Sequence, residues 1–162
     1  GLIPENELSS MAGVELDPIT GGPIVGEMRQ TSVPGIFAGG NVVHVHDLVD
    51  NVSWESELAG KGAARFAMDG KWTGMEKILL KAGRNVRYIV PQTISGEREV
   101  TLYLRVNDLE ENVRLRVGDI MSQALRVVKP SEMLKVELST AQLKKLKEGT
   151  KEIVVNCEKR GK

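Results

Sequence analysis

The only two histidines of the chain stand two residues apart in His44-Val45-His46-Asp47-Leu48-Val49-Asp50. Two imidazoles at alternate positions, with two carboxylates close behind, can ligate a divalent metal. Alternate positions bring both rings to one side only if the segment is extended. No further His or Cys lies nearby, so such a site needs ligands from elsewhere. Because imidazole titrates near neutral pH, His44 or His46 can instead serve as a general acid or base. The plainest alternative is a polar loop whose rings bond backbone groups. Just ahead lies Thr31-Ser-Val-Pro-Gly-Ile-Phe-Ala-Gly-Gly-Asn41, a turn, a short apolar run and a glycine pair that opens toward a helix. Glycines at such a corner let the backbone come close to a bound cofactor.

These residues need elements to position them. Residues 1–30 are rich in Gly and Pro, with turns at Ile3-Pro4-Glu5-Asn6 and Thr20-Gly21-Gly22-Pro23 and a possible short strand over Gly22 to Glu27. Ile36 to Ala38 reads as a short buried strand bounded by glycines. A helix is expected from about Asn51 to Met68, with Ser53, Ser56 and Glu57 suited to its first turn. Leu58, Ala59, Gly62, Ala63 and Phe66 recur at helical spacing, and Gly60, Gly62, Ala63 and Ala64 keep one face small. Gly inside a helix costs about 1 kcal/mol relative to Ala, so two of them require a packing reason. Asp69-Gly70 ends the helix.

Thr31, Pro34, Gly35, Ile36, Phe37, Ala38, Gly40 and Val42 together resemble the second FAD-contacting motif of the pyridine nucleotide-disulfide oxidoreductases and their thioredoxin-reductase-like relatives. Gly1-Leu-Ile-Pro-Glu-Asn and Ala12-Gly13-Val14-Glu15-Leu16 resemble segments that precede that motif, so the likeness covers residues 1–70. It implies FAD as cofactor and NAD(P)H as co-substrate. It implies that Gly39 and Gly40 approach the pyrophosphate and ribityl chain, with Val42 beside them. Asn41 stands where relatives carry an Asp that bonds a ribityl hydroxyl; Asn can make that bond without the charge. Asn51 and Val52 are implied to present N–H groups to the flavin C2 carbonyl, at a helix N-terminus whose partial positive charge favours the anionic reduced flavin. His44 or His46 becomes a catalytic acid-base group beside the flavin, in preference to a metal ligand. In relatives the motif lies near the C-terminal end of the FAD domain. The resemblance therefore implies a C-terminal piece of a larger enzyme whose missing N-terminal portion carries the Gly-x-Gly-x-x-Gly fingerprint, and which binds FAD weakly and is inactive on its own.

Charge divides the chain in the same place. Residues 1–70 hold three Lys and Arg against ten Asp and Glu, a net −7, and residues 71–162 hold nineteen against twelve, a net +7. Such a split suggests two units. Residues 71–85 read as a linker, with a short helix through Met75 to Lys81. From residue 86 the period changes to two. Val86 to Val90, Glu99 to Val106, Asn112 to Val117, Ala124 to Val128, Leu134 to Leu138 and Glu152 to Asn156 read as strands. Val100, Leu102, Leu104 and Val106 oppose Thr101, Tyr103 and Arg105, which predicts one face in a core and one in water. The expected fold is thus an α/β remnant of a Rossmann-like FAD domain at 1–70, followed by an all-β antiparallel, Ig-like sandwich at 86–162. Ser139 to Lys147 supplies one helical insertion with a Ser or Thr cap, ended by Gly149.

With 41% hydrophobic and 27% charged residues, the composition is that of an ordinary globular protein. No apolar run is long enough for a membrane span and no signal-peptide pattern opens the chain. A single cysteine, Cys157, excludes an internal disulfide or a redox-active Cys pair. These features point to a cytoplasmic protein without a membrane partner. The basic half lacks aromatic interleaving, which argues against nucleic acid. Trp54 and Trp72 read as packing anchors, Lys144, Lys145 and Lys147 as a solvated helix face, and Arg114 and Arg116 as an outward strand face. Relatives commonly end in a mixed α/β dimerisation domain, which this tail does not resemble. The competing reading is a non-catalytic module whose β domain docks a partner subunit or a second copy.

Overall fold

The computed structural model of the protein describes residues 2–70 and 77–159. Trp72 and the first part of the expected linker, 71–76, lie outside them. The chain forms two units, one of Gly1–Glu76 with Pro91–Thr93, the other of Lys77–Val90 with Ile94–Lys162.

The first unit is built mostly from turns tied down by side chains. A short helix, α1 (Glu7–Met11), follows Asn6. The Asn6 amide donates to Gly21 O at 3.0 Å and to Val42 O at 2.9 Å, joining three distant loops. Asp17 closes the next turn by accepting from the Ile19 and Thr20 amides. The expected short strands over Gly22 to Glu27 and Ile36 to Ala38 reduce to isolated bridges, Leu16 with Pro23, Gly26 with Thr93 and Gln30 with Phe37. The turn at Gly26–Arg29 and another at Val33–Ile36 cut each extended run short. Pro91–Thr93 returns to this unit because the Gln92 side chain replaces a backbone partner. Its Oε1 accepts from Val25 N at 2.9 Å and its Nε2 donates to Asp17 Oδ2 at 3.3 Å.

The principal helix, α2, spans Val49–Asp69 and starts two residues before the expected position. It ends at Gly70, whose φ of +59° is left-handed and whose N–H returns to Phe66 O at 2.8 Å. Its buried residues are Glu55, Ala59 and Gly62, one turn apart in succession. Trp54, expected as an anchor, is 41% exposed.

The second unit carries eight strands: β1 (Ile78–Ala82), β2 (Tyr88–Val90), β3 (Thr93–Ile94), β4 (Val100–Arg105), β5 (Glu110–Val117), β6 (Met121–Val128), β7 (Leu134–Leu138) and β8 (Glu152–Lys159). They form a five-stranded sheet, β3-β1-β8-β5-β6, and a three-stranded antiparallel sheet, β2-β4-β7. Both sheets feed one hydrophobic cluster, with Leu80, Val113, Leu115 and Val155 from the larger and Leu102, Leu104 and Val136 from the smaller. The class is mixed α/β.

Two expectations are corrected here. The segment expected to be a helix through Met75 to Lys81 is β1 from Ile78 onward, because Ile78 and Leu80 point inward while Leu79 and Lys81 face water; Met75 and Glu76 lie outside the described residues. β1 then pairs parallel with β8, Leu80 opposite Ile153, so the larger sheet is mixed and not all antiparallel. A parallel pair needs a long connection, and the intervening strands supply one. The expected water-facing side of β4 is also buried, Thr101 and Tyr103 included. As the central strand of its sheet, β4 has both edges paired. The last insertion, α3 (Thr140–Leu143), is shorter than expected but carries the anticipated Ser139 cap as a full capping box with Gln142. Arg114 is exposed as expected, and so are Lys144, Lys145 and Lys147.

Candidate functional site

The small residues of α2 admit a loop, and the loop brings charge with it. A β-carbon on Gly62 would lie 2.4 Å from Met28 O and 2.9 Å from the Phe37 ring. One on Gly39 would lie 2.7 Å from Glu55 O and 3.1 Å from the Ala59 methyl. The 28–40 segment therefore lies directly on the helix, and Phe37 packs on Phe66 with ring centroids 6.2 Å apart. Glu55 is one turn before Ala59 on the same face. Its side chain has nowhere to go but into the seam between helix and loop.

One guanidinium, two imidazoles and a backbone N–H meet it there. Arg29 Nη2 lies 2.9 Å and His44 Nε2 3.3 Å from Glu55 Oε1. His46 Nε2 lies 2.9 Å from Oε2, which also accepts from Gly40 N–H at 2.9 Å. Arg29 and Glu55 are 0% exposed, and both histidines are buried. The two rings lie 4.3 Å apart between centroids. Arg29 reaches this position from a backbone φ of +64°, which a long side chain seldom adopts. The turn that imposes it is closed by Arg29 N–H to Gly26 O at 2.8 Å. Glu27, two residues earlier, is a second buried carboxylate of the same loop.

Burial by itself pushes the Glu55 carboxyl upward. The hydrogen bonds from His44 and His46 and the Arg29 charge overcome it, leaving the group well below the usual carboxylate range and ionised. Burial lowers the His44 imidazole, and the charges of His46 and Arg29 add to that, against the opposing pull of Glu55. His44 is therefore neutral at neutral pH. An ionised carboxylate only accepts, so the neutral His44 ring carries its proton on Nε2. With neutral rings, Arg29 and Glu55 cancel and the buried cluster has no net charge.

The metal alternative fits the spacing but not the charge. One ligand atom from each of His44, His46 and Glu55 falls within 4.8 Å of the others, close enough for a single ion. However, Arg29 already neutralises the carboxylate, and its oxygens already meet His44 Nε2, His46 Nε2 and Gly40 N–H. A divalent ion would place two further positive charges among fully buried side chains, at a desolvation cost of several kcal/mol per ion. The group is better described as a closed ionic network than as a ligand set.

Of the residues expected to touch a cofactor, the structure gathers most at one place. Gly40 has a φ of +76° and opens a 3-10 turn through Val42. A β-carbon there would meet Val52 Cγ1 and Ser56 Oγ, both at 3.0 Å, so the corner lies against the early turns of α2. Asn41 is exposed, and its Oδ1 accepts from His46 N–H at 3.1 Å. Val42 is half-buried. Asn51 N–H donates to Leu48 O at 3.2 Å inside the first turn, because the helix begins at Val49. Its N-cap residue, Leu48, makes no side-chain cap bond, and first-turn amides have no intrahelical acceptor. Gly39 faces α2, and Gly40 N–H is spent on Glu55.

Sequence reasoning missed Arg29 and Glu55, the two charges of the network. Glu55 carried a usable signal, since it precedes Ala59 and Gly62 by four and seven residues and so shares their small, inward face. Arg29, inside an irregular Gly- and Pro-rich stretch, carried none. Asp47 and Asp50, the carboxylates adjacent to the histidines in sequence, are both exposed. The chain matches no protein-family model, no curated protein and no solved structure.

Proposed function

We propose that this chain supplies the flavin-edge part of an FAD-dependent, NAD(P)H-linked oxidoreductase of the thioredoxin-reductase-like type. The observation that carries this reading is the apposition of the Gly40–Val42 corner to the uncapped start of α2, with Val52 in contact with Gly40. A strand-like segment, a left-handed glycine and a helix N-terminus at one place make a cradle suited to a ribityl chain and an electron-rich ring edge. Bound FAD would supply the hydride chemistry. Asn41 would hold a ribityl hydroxyl through its side-chain NH2, its Oδ1 being taken by His46 N–H. The open amides of Val49 and Asp50 would face the flavin carbonyl more directly than those of Asn51 and Val52. His44 and His46 would act one layer behind, by fixing Gly40 through Glu55. The second unit, with two sheets on one hydrophobic cluster, fits a sandwich-like accessory domain.

A longer polypeptide that joins a Gly-x-Gly-x-x-Gly dinucleotide-binding half upstream of residue 1 tests the proposal. It is expected to be yellow and to bleach with NADH or NADPH. A folded, colourless product that takes up no added FAD would sink the reading. One observation favours the docking alternative: β6 is an edge strand of eight residues, half of them exposed. A colourless product that self-associates through this edge would favour that alternative.

A further inference from the structure

We propose that the Arg29–His44–His46–Glu55 network is an acid-sensitive latch, in which protonation of the histidine pair releases the Gly39–Val42 corner from α2. The latch has a mechanical link on the page. Glu55 Oε2 holds His46 Nε2 and Gly40 N–H at the same distance, 2.9 Å, so one oxygen couples ring and corner. Asn41 Oδ1 on His46 N–H ties the two a second time.

The groups set against the rings are Glu55 from α2, Arg29 from the preceding loop, and each ring for the other. With both rings neutral, the cluster is balanced. One added proton leaves a net positive charge beside the Arg29 guanidinium, in a seam with no exposed atom on Arg29 or Glu55. Opening the seam relieves that charge by hydration. The corner is the part free to leave. Gly39 and Gly40 touch α2 through backbone and close packing, whereas Phe37 and Gly62 keep the rest of the loop on the helix.

The inference goes beyond the flavin reading and does not rest on it, since it concerns the chain without any ligand. The test is amide hydrogen exchange on the full chain from pH 7 to pH 5, corrected for the intrinsic exchange rate, together with ring titration of His44 and His46 by NMR. If a ring has its ordinary value of about 6.5 in the open state and stays neutral in the closed one, opening becomes about 25-fold more favourable over that interval. Protection of Gly40 N–H is therefore expected to fall by up to that factor, the fall setting in near the open ring's value while the closed rings stay neutral. Buried amides of the second unit, such as Leu104 and Val155, are expected to keep theirs. Unchanged Gly40 protection, loss in step with Leu104 and Val155, or a fall that sets in only well below that value would each overturn the proposal. A folded H44Q/H46Q chain keeps N–H donors but cannot titrate. It is expected to lose the pH response, and a retained response would likewise overturn the latch. The wild-type series decides the question even if that variant does not fold.

Discussion

Replacing Arg29 with Met tests the network where its energy is concentrated. Methionine has similar length and no charge, so the substitution removes the guanidinium while leaving apolar bulk in the seam. Arg29 contributes a buried ion pair, its Nη2 lying 2.9 Å from Glu55 Oε1. Its loss also leaves a carboxylate with 0% exposure short of its counter-charge, and breaking a buried pair in this way costs about 3–5 kcal/mol in total. Glu55→Gln does the converse and strands the arginine, at a similar cost. The double variant strands neither. It is expected to lose clearly less than the sum of the singles, with a coupling of about 2–3 kcal/mol. Urea unfolding of the first unit can be followed by Trp54 fluorescence in a Trp72→Phe background. The second unit has its own reporter in Cys157, buried at 0% exposure with its thiol pushed up by burial, which reacts with a thiol reagent only once that unit opens. The first transition should move and the Cys157 transition should stay. A single-variant cost under about 1 kcal/mol, or strictly additive singles, would refute a closed ionic network.

Two glycines of α2 separate packing from propensity. Gly60→Ala meets nothing within 4 Å and should stabilise the first unit by up to about 1 kcal/mol. Gly62→Ala pushes a methyl onto Met28 O and should cost about 1–3 kcal/mol despite the better helix former; both are read from the Trp54 transition. Acid should weaken the same unit selectively. His44 is lowered in the folded state, so the unfolded chain takes up its proton first, and stability falls as pH drops below the unfolded value of about 6.5. Glu55 is lowered as well, so its contribution is present above its unfolded value of about 4.5 and is lost as pH falls toward the folded one. The two act in one direction: a Trp54 midpoint independent of pH from 7 to 5 would contradict the first, and one independent of pH from 5 to 3 the second.

What was legible in the sequence is what local pattern dictates. Val113, Leu115 and Val117 alternate with Arg114 and Arg116, and β5 buries the first three. Ser139 with Gln142 reads as a cap and forms one. The small stripe of α2 required a close neighbour, and the Met28 and Phe37 backbone and ring are that neighbour. Illegible features depend on partners far along the chain. Gln92 draws Pro91–Thr93 back to Val25 and Asp17 across 67 and 75 residues, through an amide with no local signature. β1 was hidden because a five-residue apolar run fits a helix turn or a strand equally well, and β8 settles it from the other end of the chain. The histidines were conspicuous by type, yet their partners were sought among the adjacent Asp47 and Asp50 when the helical carboxylate nine and eleven residues on was the one that met them.

The glycines that first suggest a cofactor have internal work to do, and this changes which residues can speak for a ligand. Gly39 is small because Glu55 O and Ala59 leave no room for a methyl. Gly40 is glycine because its φ is +76° and its N–H must reach Glu55 Oε2. Both requirements hold with no cofactor bound, so a glycine variant that loses FAD could do so by breaking the seam. Asn41 has a different standing. It is exposed, it follows the left-handed residue, and its Oδ1 accepts from His46 N–H. Val49 and Asp50 likewise stand at a helix start whose N-cap residue makes no side-chain cap bond. A ligand that uses this corner must be read by these outward groups, and the buried ionic network beneath them sets how rigidly they are presented.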